Sequence, residues 1–162
     1  AAMPEADRQV YDAFVRKVAD LRRAFSATNS IRSEMNGKLK GMQTAILDMP
    51  ADAQPHLATA YRLQQELNQL GIRMNGDYSL ARREFETPPT IGDRIGRCEY
   101  GMWDVTSEPT QVYQDAYRLA ADEFGDVLAT LKRIAEEIGA LEKQLEMNDA
   151  PFTPGRWPEW KR

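Results

Sequence analysis

The sequence predicts an all-α protein: an antiparallel up-down-up-down four-helix bundle with two long helices, the first and the fourth, and an irregular Pro/Trp-rich C-terminal tail. Two series of apolar residues predict it. Tyr113, Tyr117, Ala120, Phe124, Val127, Leu131, Ile134, Ile138, Leu141 and Leu145 follow one another in steps of four and three. That spacing lines up one face of a single long helix. Phe14, Val18, Leu21, Phe25, Thr28, Arg32, Met35, Leu39, Met42, Ile46 and Met49 repeat the pattern near the N-terminus. A seam of this length buries little unless other helices lie along it. No strand period, internal repeat or low-complexity tract competes with this reading.

The first helix begins near Pro4, with Glu5 and Asp7 placed at the positive end of its dipole. Asn36-Gly37 has the composition of a stop signal. Met35, Leu39 and Met42 keep their phase across it, so one helix of about 45 residues is expected, on the order of 65 Å long. Arg32 is the charge on this seam. Its stem packs while its head reaches water, or it pairs with an acid of another helix.

Met49-Pro50 ends the first helix, because the residue before proline avoids the α region. Asp52 is placed to cap a second helix whose core face reads Leu57, Tyr61, Gln64, Leu67, Leu70 and Met74. Asn75-Gly76-Asp77 is a turn, and Tyr78 to Thr87 a long, partly ordered connection. Pro88-Pro89 precedes a third helix, started by Thr90 or Pro89, with the seam Ile91, Ile95, Cys98, Met102 and Val105. Thr106 to Thr110 form the next break, where Ser107 and Thr110 both suit the N-cap of the fourth helix. That helix ends near Asn148-Asp149-Ala150-Pro151. Residues 1–150 thus form the helical bundle, and 151–162 an extended tail that docks on the bundle or on an upstream domain. Positions 1–49 carry more basic than acidic side chains and 109–149 the reverse, which favours pairing of the two long helices.

With 162 residues the chain is long enough to bury a core as one domain. Its net charge of −4 makes nucleic acid an unsuitable partner. No apolar run approaches the roughly 20 residues of a bilayer span, so no transmembrane segment is expected. No signal peptide is visible, but the start Ala1-Ala2-Met3-Pro4 suggests a fragment, a processed product or a tag scar, any of which is compatible with targeting information having been cut away.

The chemistry-bearing residues are few. His56 is the single histidine and Cys98 the single cysteine. Bundle metal sites draw on Glu-x-x-His pairs from facing helices, and none exists here. No catalytic residue, cofactor or metal is therefore expected. His56 reads as an exposed or capping side chain. Cys98, on the third seam, reads as buried and inert. Gly92, Gly96 and Gly101 mark close helix packing. Asp122, Glu123, Asp126, Glu136 and Glu137 read as a solvated face; no spacing singles out a catalytic carboxylate pair. Met35, Met42 and Met49 fill the core or line a pliable groove. The residues most suited to interaction are Phe152, Arg156, Trp157 and Trp160 in the tail; the three aromatics carry large apolar areas that a disordered end rarely keeps. The tail is expected to wedge Trp157 or Trp160 between helix ends, or to meet an upstream domain.

The second half also carries a resemblance. Pro89-Thr90-Ile91-Gly92-Asp93-Arg94-Ile95, Ser107-Glu108-Pro109-Thr110-Gln111, Tyr117, Glu123-Phe124, Leu128 and the ending Ala150-Pro151-Phe152-Thr153-Pro154-Gly155-Arg156-Trp157-Pro158-Glu159-Trp160 are similar to the helical C-terminal region of large bacterial proteins built on BNR-type, sortilin-like β-propellers, often labelled glycosyl-hydrolase-like. In that family Trp and Leu usually stand where this chain has Phe152 and Trp157. The resemblance implies a non-catalytic accessory or interaction domain at the end of a larger exported propeller protein, periplasmic or extracellular, with the upstream propeller as its partner. The residues alone leave two alternatives: a stand-alone helical protein-binding module with a groove beside the long helices, and an enzyme with an unrecognised carboxylate site.

Overall fold

A computed structural model describes residues 3–103, 105 and 107–161. Ala1, Ala2, Asp104, Arg162 and, in the expected break, Thr106 lie outside them. The described residues are helical, with no strand. The helices are α1 (Glu5–Leu47), α2 (Gln54–Asn75), α3 (Tyr78–Ala81), α4 (Ile91–Trp103) and α5 (Gln111–Met147), with a 3-10 turn at Ala51–Ala53 before α2.

Sequence-local rules account for most element ends. α1 runs through Gly37 as one 43-residue helix. Thr90 and Asp93 form a reciprocal capping box at the start of α4: Asp93 N donates to Thr90 Oγ1 (3.1 Å), and Thr90 N to Asp93 Oδ2 (2.9 Å). Of the two candidate caps for α5, Thr110 is the one that adjoins the helix, its carbonyl accepting from Tyr113 N and Gln114 N. Asp52 does not cap α2; it lies inside the 3-10 turn. The connection 76–90 carries the one-turn helix α3, whose N-cap Asp77 accepts from Ser79 N at 2.8 Å.

The chain divides into two units, Ala1–Asn29 with Gly71–Leu128, and Ser30–Leu70 with Ala129–Arg162. In the first, Phe14, Val18, Leu21 and Phe25 of α1, Ile91, Ile95, Cys98 and Met102 of α4, and Ala120, Phe124 and Val127 of α5 are all buried. In the second, Leu39, Met42 and Ile46 of α1 bury with Ala60, Leu63 and Leu67 of α2 and Leu131, Ile134, Ile138 and Leu141 of α5. Each such Leu, Ile or Phe contributes roughly 1.5–3 kcal/mol by leaving water. Met42 is core filler and Met35 is half-buried.

Two expectations change. The buried face of α2 is Ala60, Leu63, Leu67, Leu70 and Met74, while Tyr61 is 47% exposed and Leu57 half-buried. The seam continues backward from Leu67 by four and three, through the small Ala60, and Gln64 flanks it. The alternating up-down-up-down order also places α1 and α5 antiparallel, yet in each unit they run the same way. Phe14 meets Tyr117 and Phe25 meets Phe124 in one; Lys38 pairs with Glu142 at 2.6 Å, and Gly41 meets Pro154, in the other. α4 runs against α1, from Gly92 beside Phe25 to Met102, whose carbonyl accepts from Tyr11 Oη at 2.7 Å. α2 likewise runs against α1 and α5, and its Arg62 and Glu66 pair with Glu137 and Arg133. The cause is the 76–90 connection, which leads on without reversal: a Cβ on Gly92 would stand 3.1 Å from the Met74 carbonyl oxygen.

Candidate interaction site

The tail is anchored by its own geometry. α5 closes in a Schellman motif: Asp149 takes φ 55°, Ala150 N donates to Leu145 O at 3.0 Å, and Asp149 N to Glu146 O at 3.3 Å. The chain then turns over Thr153-Pro154-Gly155-Arg156. Arg156 N donates to Thr153 O at 3.1 Å and Gly155 has φ 89°, the pattern of a type II turn. Thr153 is buried, and Pro154 lies against α1, where a Cβ on Gly41 would come within 2.8 Å of its Cδ. Arg156 pairs with Glu146 at 3.1 Å, donates to the carbonyls of Pro151 (3.2 Å) and Ala150 (3.4 Å), and stacks at 4.7 Å from the Phe152 ring centroid.

Of the four tail residues singled out from sequence, Arg156 and Phe152 are thus engaged with each other and with their own helix end. Trp157 and Trp160 are 91% and 87% exposed. The indoles do not wedge between helix ends; the packed part of the tail is Thr153 and Pro154, because the turn and the Arg156 anchor direct the chain outward beyond them.

The first unit presents two grooves along α1. One, of about 570 Å³, lies between α1 and α5. Val10, Phe14 and Lys17 form one wall; Pro109, Tyr117 and Asp122 form the other, with Arg118 beside them. Its floor is the edge-to-face pair Phe14–Tyr117, with centroids 5.9 Å apart, and Lys17 Nζ stands 6.0 Å from the Tyr117 ring. The other, of about 270 Å³, lies between α1 and α4 and includes Tyr11, Val15, Met102 and the 84% exposed Trp103. Its Glu99 accepts two bonds from Arg22, at 2.7 and 2.8 Å.

The titratable groups have the following surroundings. Cys98 is buried and its Sγ faces the Tyr113 carbonyl at 3.4 Å; burial pushes its thiol up, away from the nucleophilic thiolate. His56 is half-buried in a recess of about 100 Å³ with Asp52 and Asn148. Hydrogen bonds from Arg133, then Arg62, hold Glu66 below the ordinary carboxylate range, and the same two arginines, Arg62 foremost, do so for Glu137. Both acids are therefore held in their ionised form by the arginines. Among the described residues no three His, Cys, Asp or Glu side chains are grouped to hold a metal ion, and no helix is long and apolar enough to cross a membrane. Arg32 is half-buried, its Nε covered and without a hydrogen-bond partner.

One set of residues escaped the sequence reading. Arg22, Asn29, Asn36 and Gln43 recur every seven residues on α1. Arg22 meets Glu99; Asn29 exchanges two amide bonds with Asn75, at 3.1 and 2.9 Å; Asn36 and Gln43 both bond Gln64. Their heptad spacing is visible in the chain, but their partners are not.

Comparison of the chain with protein-family models, with curated proteins and with solved structures finds no match.

Proposed function

We propose that this chain is a non-catalytic helical accessory domain that presents an aromatic tail to a protein partner. The observation that carries the reading is the pairing of a built anchor with unpacked indoles. Arg156 fixes the tail while Trp157 and Trp160 stand in water. Tryptophan contributes most at protein interfaces, where burying its 150–250 Å² is followed by little loss of conformational freedom. The sequence resemblance supplies the context: the C-terminal part of an exported protein whose upstream β-propeller receives the tail. In this reading α1 and α5 are the long frame to which the shorter helices α2 and α4 add, and neither nucleic acid nor a cofactor takes part.

The test is the natural protein in its source cells. Mass spectrometry of the exported fraction should find peptides of this chain in a species well above 18.4 kDa, with cross-links from Lys161 to a propeller segment. An 18.4 kDa species confined to the cytosol would overturn the proposal.

The α1/α5 groove favours a second reading, a protein-binding module that uses its own concave surface. Its volume of about 570 Å³ and its aromatic floor suit an extended peptide.

A further inference from the structure

The free end of the tail and the α1/α5 groove are complementary in charge order. Beyond the Arg156 anchor the tail reads Trp157-Pro158-Glu159-Trp160-Lys161, all exposed. Pro158 fixes its own φ and biases Trp157 toward an extended conformation. In an extended chain Trp157, Glu159 and Lys161 point to the same face, in steps of about 6.6 Å. Along α5, Gln114, Arg118 and Asp122 are each four residues apart, steps of about 6 Å on one face. All three line the groove, opposite Val10, Phe14 and Lys17. Laid parallel to α5, the tail sets Trp157 at the level of Gln114, Pro109 and Val10. Glu159 then faces Lys17 and Arg118, which exchanges its exposed pair with Asp115 (3.1 Å) for the incoming acid, and Lys161 faces Asp122. Acid meets base and base meets acid with matching spacing, and an indole enters the end lined by Val10 and Pro109.

We infer that the groove of one chain receives residues Trp157–Lys161 of a second copy, so that the protein associates head to tail. The two surfaces differ, so the contact is heterologous and propagates into a ring or an open string. Its small area makes it weak and concentration-dependent. The inference deepens the groove reading and does not rest on the propeller context.

The test uses the full chain with Trp103→Phe, so that emission reports the tail alone. Sedimentation velocity and tryptophan emission are followed from low micromolar to several hundred micromolar. The expected result is a rising sedimentation coefficient together with a blue shift, the rise in sedimentation being reversed by a synthetic peptide of residues 151–162. Arg118→Glu and Glu159→Arg should each abolish association alone, and an equimolar mixture of the two should regain it, since the inverted tail then fits the inverted groove. Constant sedimentation across the range overturns the inference. So does a blue shift at constant mass, which places the tail on its own chain, or association of Arg118→Glu equal to the parent. None of these failures bears on the cross-link expected for an exported propeller protein, so the two proposals fail separately.

Discussion

Gly37→Ala measures how far α1 behaves as one uninterrupted helix. Gly37 lies well inside the 43 residues of α1, is exposed, and a Cβ built on it meets nothing within 4 Å. Alanine there adds no clash and removes the entropic cost of ordering glycine. The gain is about 0.8–1.0 kcal/mol from helix propensity. For a chain of this size that corresponds to a rise in Tm of about 2–4 °C. Differential scanning calorimetry reads it directly. Gly101→Ala is the opposing control, because its Cβ would fall into the Tyr113 ring. Overpacking of this kind costs roughly 1–3 kcal/mol, so its Tm should fall, and should rise instead when Tyr113→Ala makes room. A lower or unchanged Tm for Gly37→Ala at equal helix content would show that α1 is not a regular helix at that point.

Further expectations concern the core, the amide pairs and pH. Leu131 is 2% exposed in mid-α5, and Leu131→Ala should cost roughly 2–5 kcal/mol in urea unfolding through the cavity it leaves; an unchanged midpoint would mean that the seam does not face a core. Asn75→Ala strands the half-buried Asn29 amide and should cost roughly 1–3 kcal/mol, whereas the double change Asn29→Leu, Asn75→Leu should recover most of it. The depressed folded-state values of Glu66 and Glu137 give stability that is fully present above the ordinary Glu value of 4.5 and lost as pH falls through and below it. Because this cluster is open to solvent, the loss should be small and should shrink in 1 M salt, as denaturation midpoints at pH 7 and pH 3 with Arg133→Ala as reference will show; an identical pH response in that variant would dismiss the network.

What the sequence determines by itself here is periodic. Helix formation and the choice of a buried face depend on residues three and four apart, so the seams of α1, α4 and α5 are legible in the chain. So is the continuity of α1 across Gly37, since a preserved phase needs no knowledge of the neighbours. The Thr90–Asp93 capping box and the burial of Cys98 follow from the same local rules. Where two faces competed, as on α2, the larger side chains Leu57 and Tyr61 pointed to the wrong one. The choice of Ala60 and Leu63 depends on what packs opposite. Only tertiary structure decides direction: in each unit α1 and α5 run the same way, and no spacing within a helix encodes that. The pairing of Asn29 with Asn75 and of Asn36 with Gln64 needs both helices in place before either amide has a partner. The tail shows the same division. Its composition marks it as a proline-rich, aromatic segment. The turn at Pro154-Gly155 and the reach of Arg156 back to Glu146 are what leave Trp157 and Trp160 in water, because side-chain burial is decided by contacts that the order of residues does not contain.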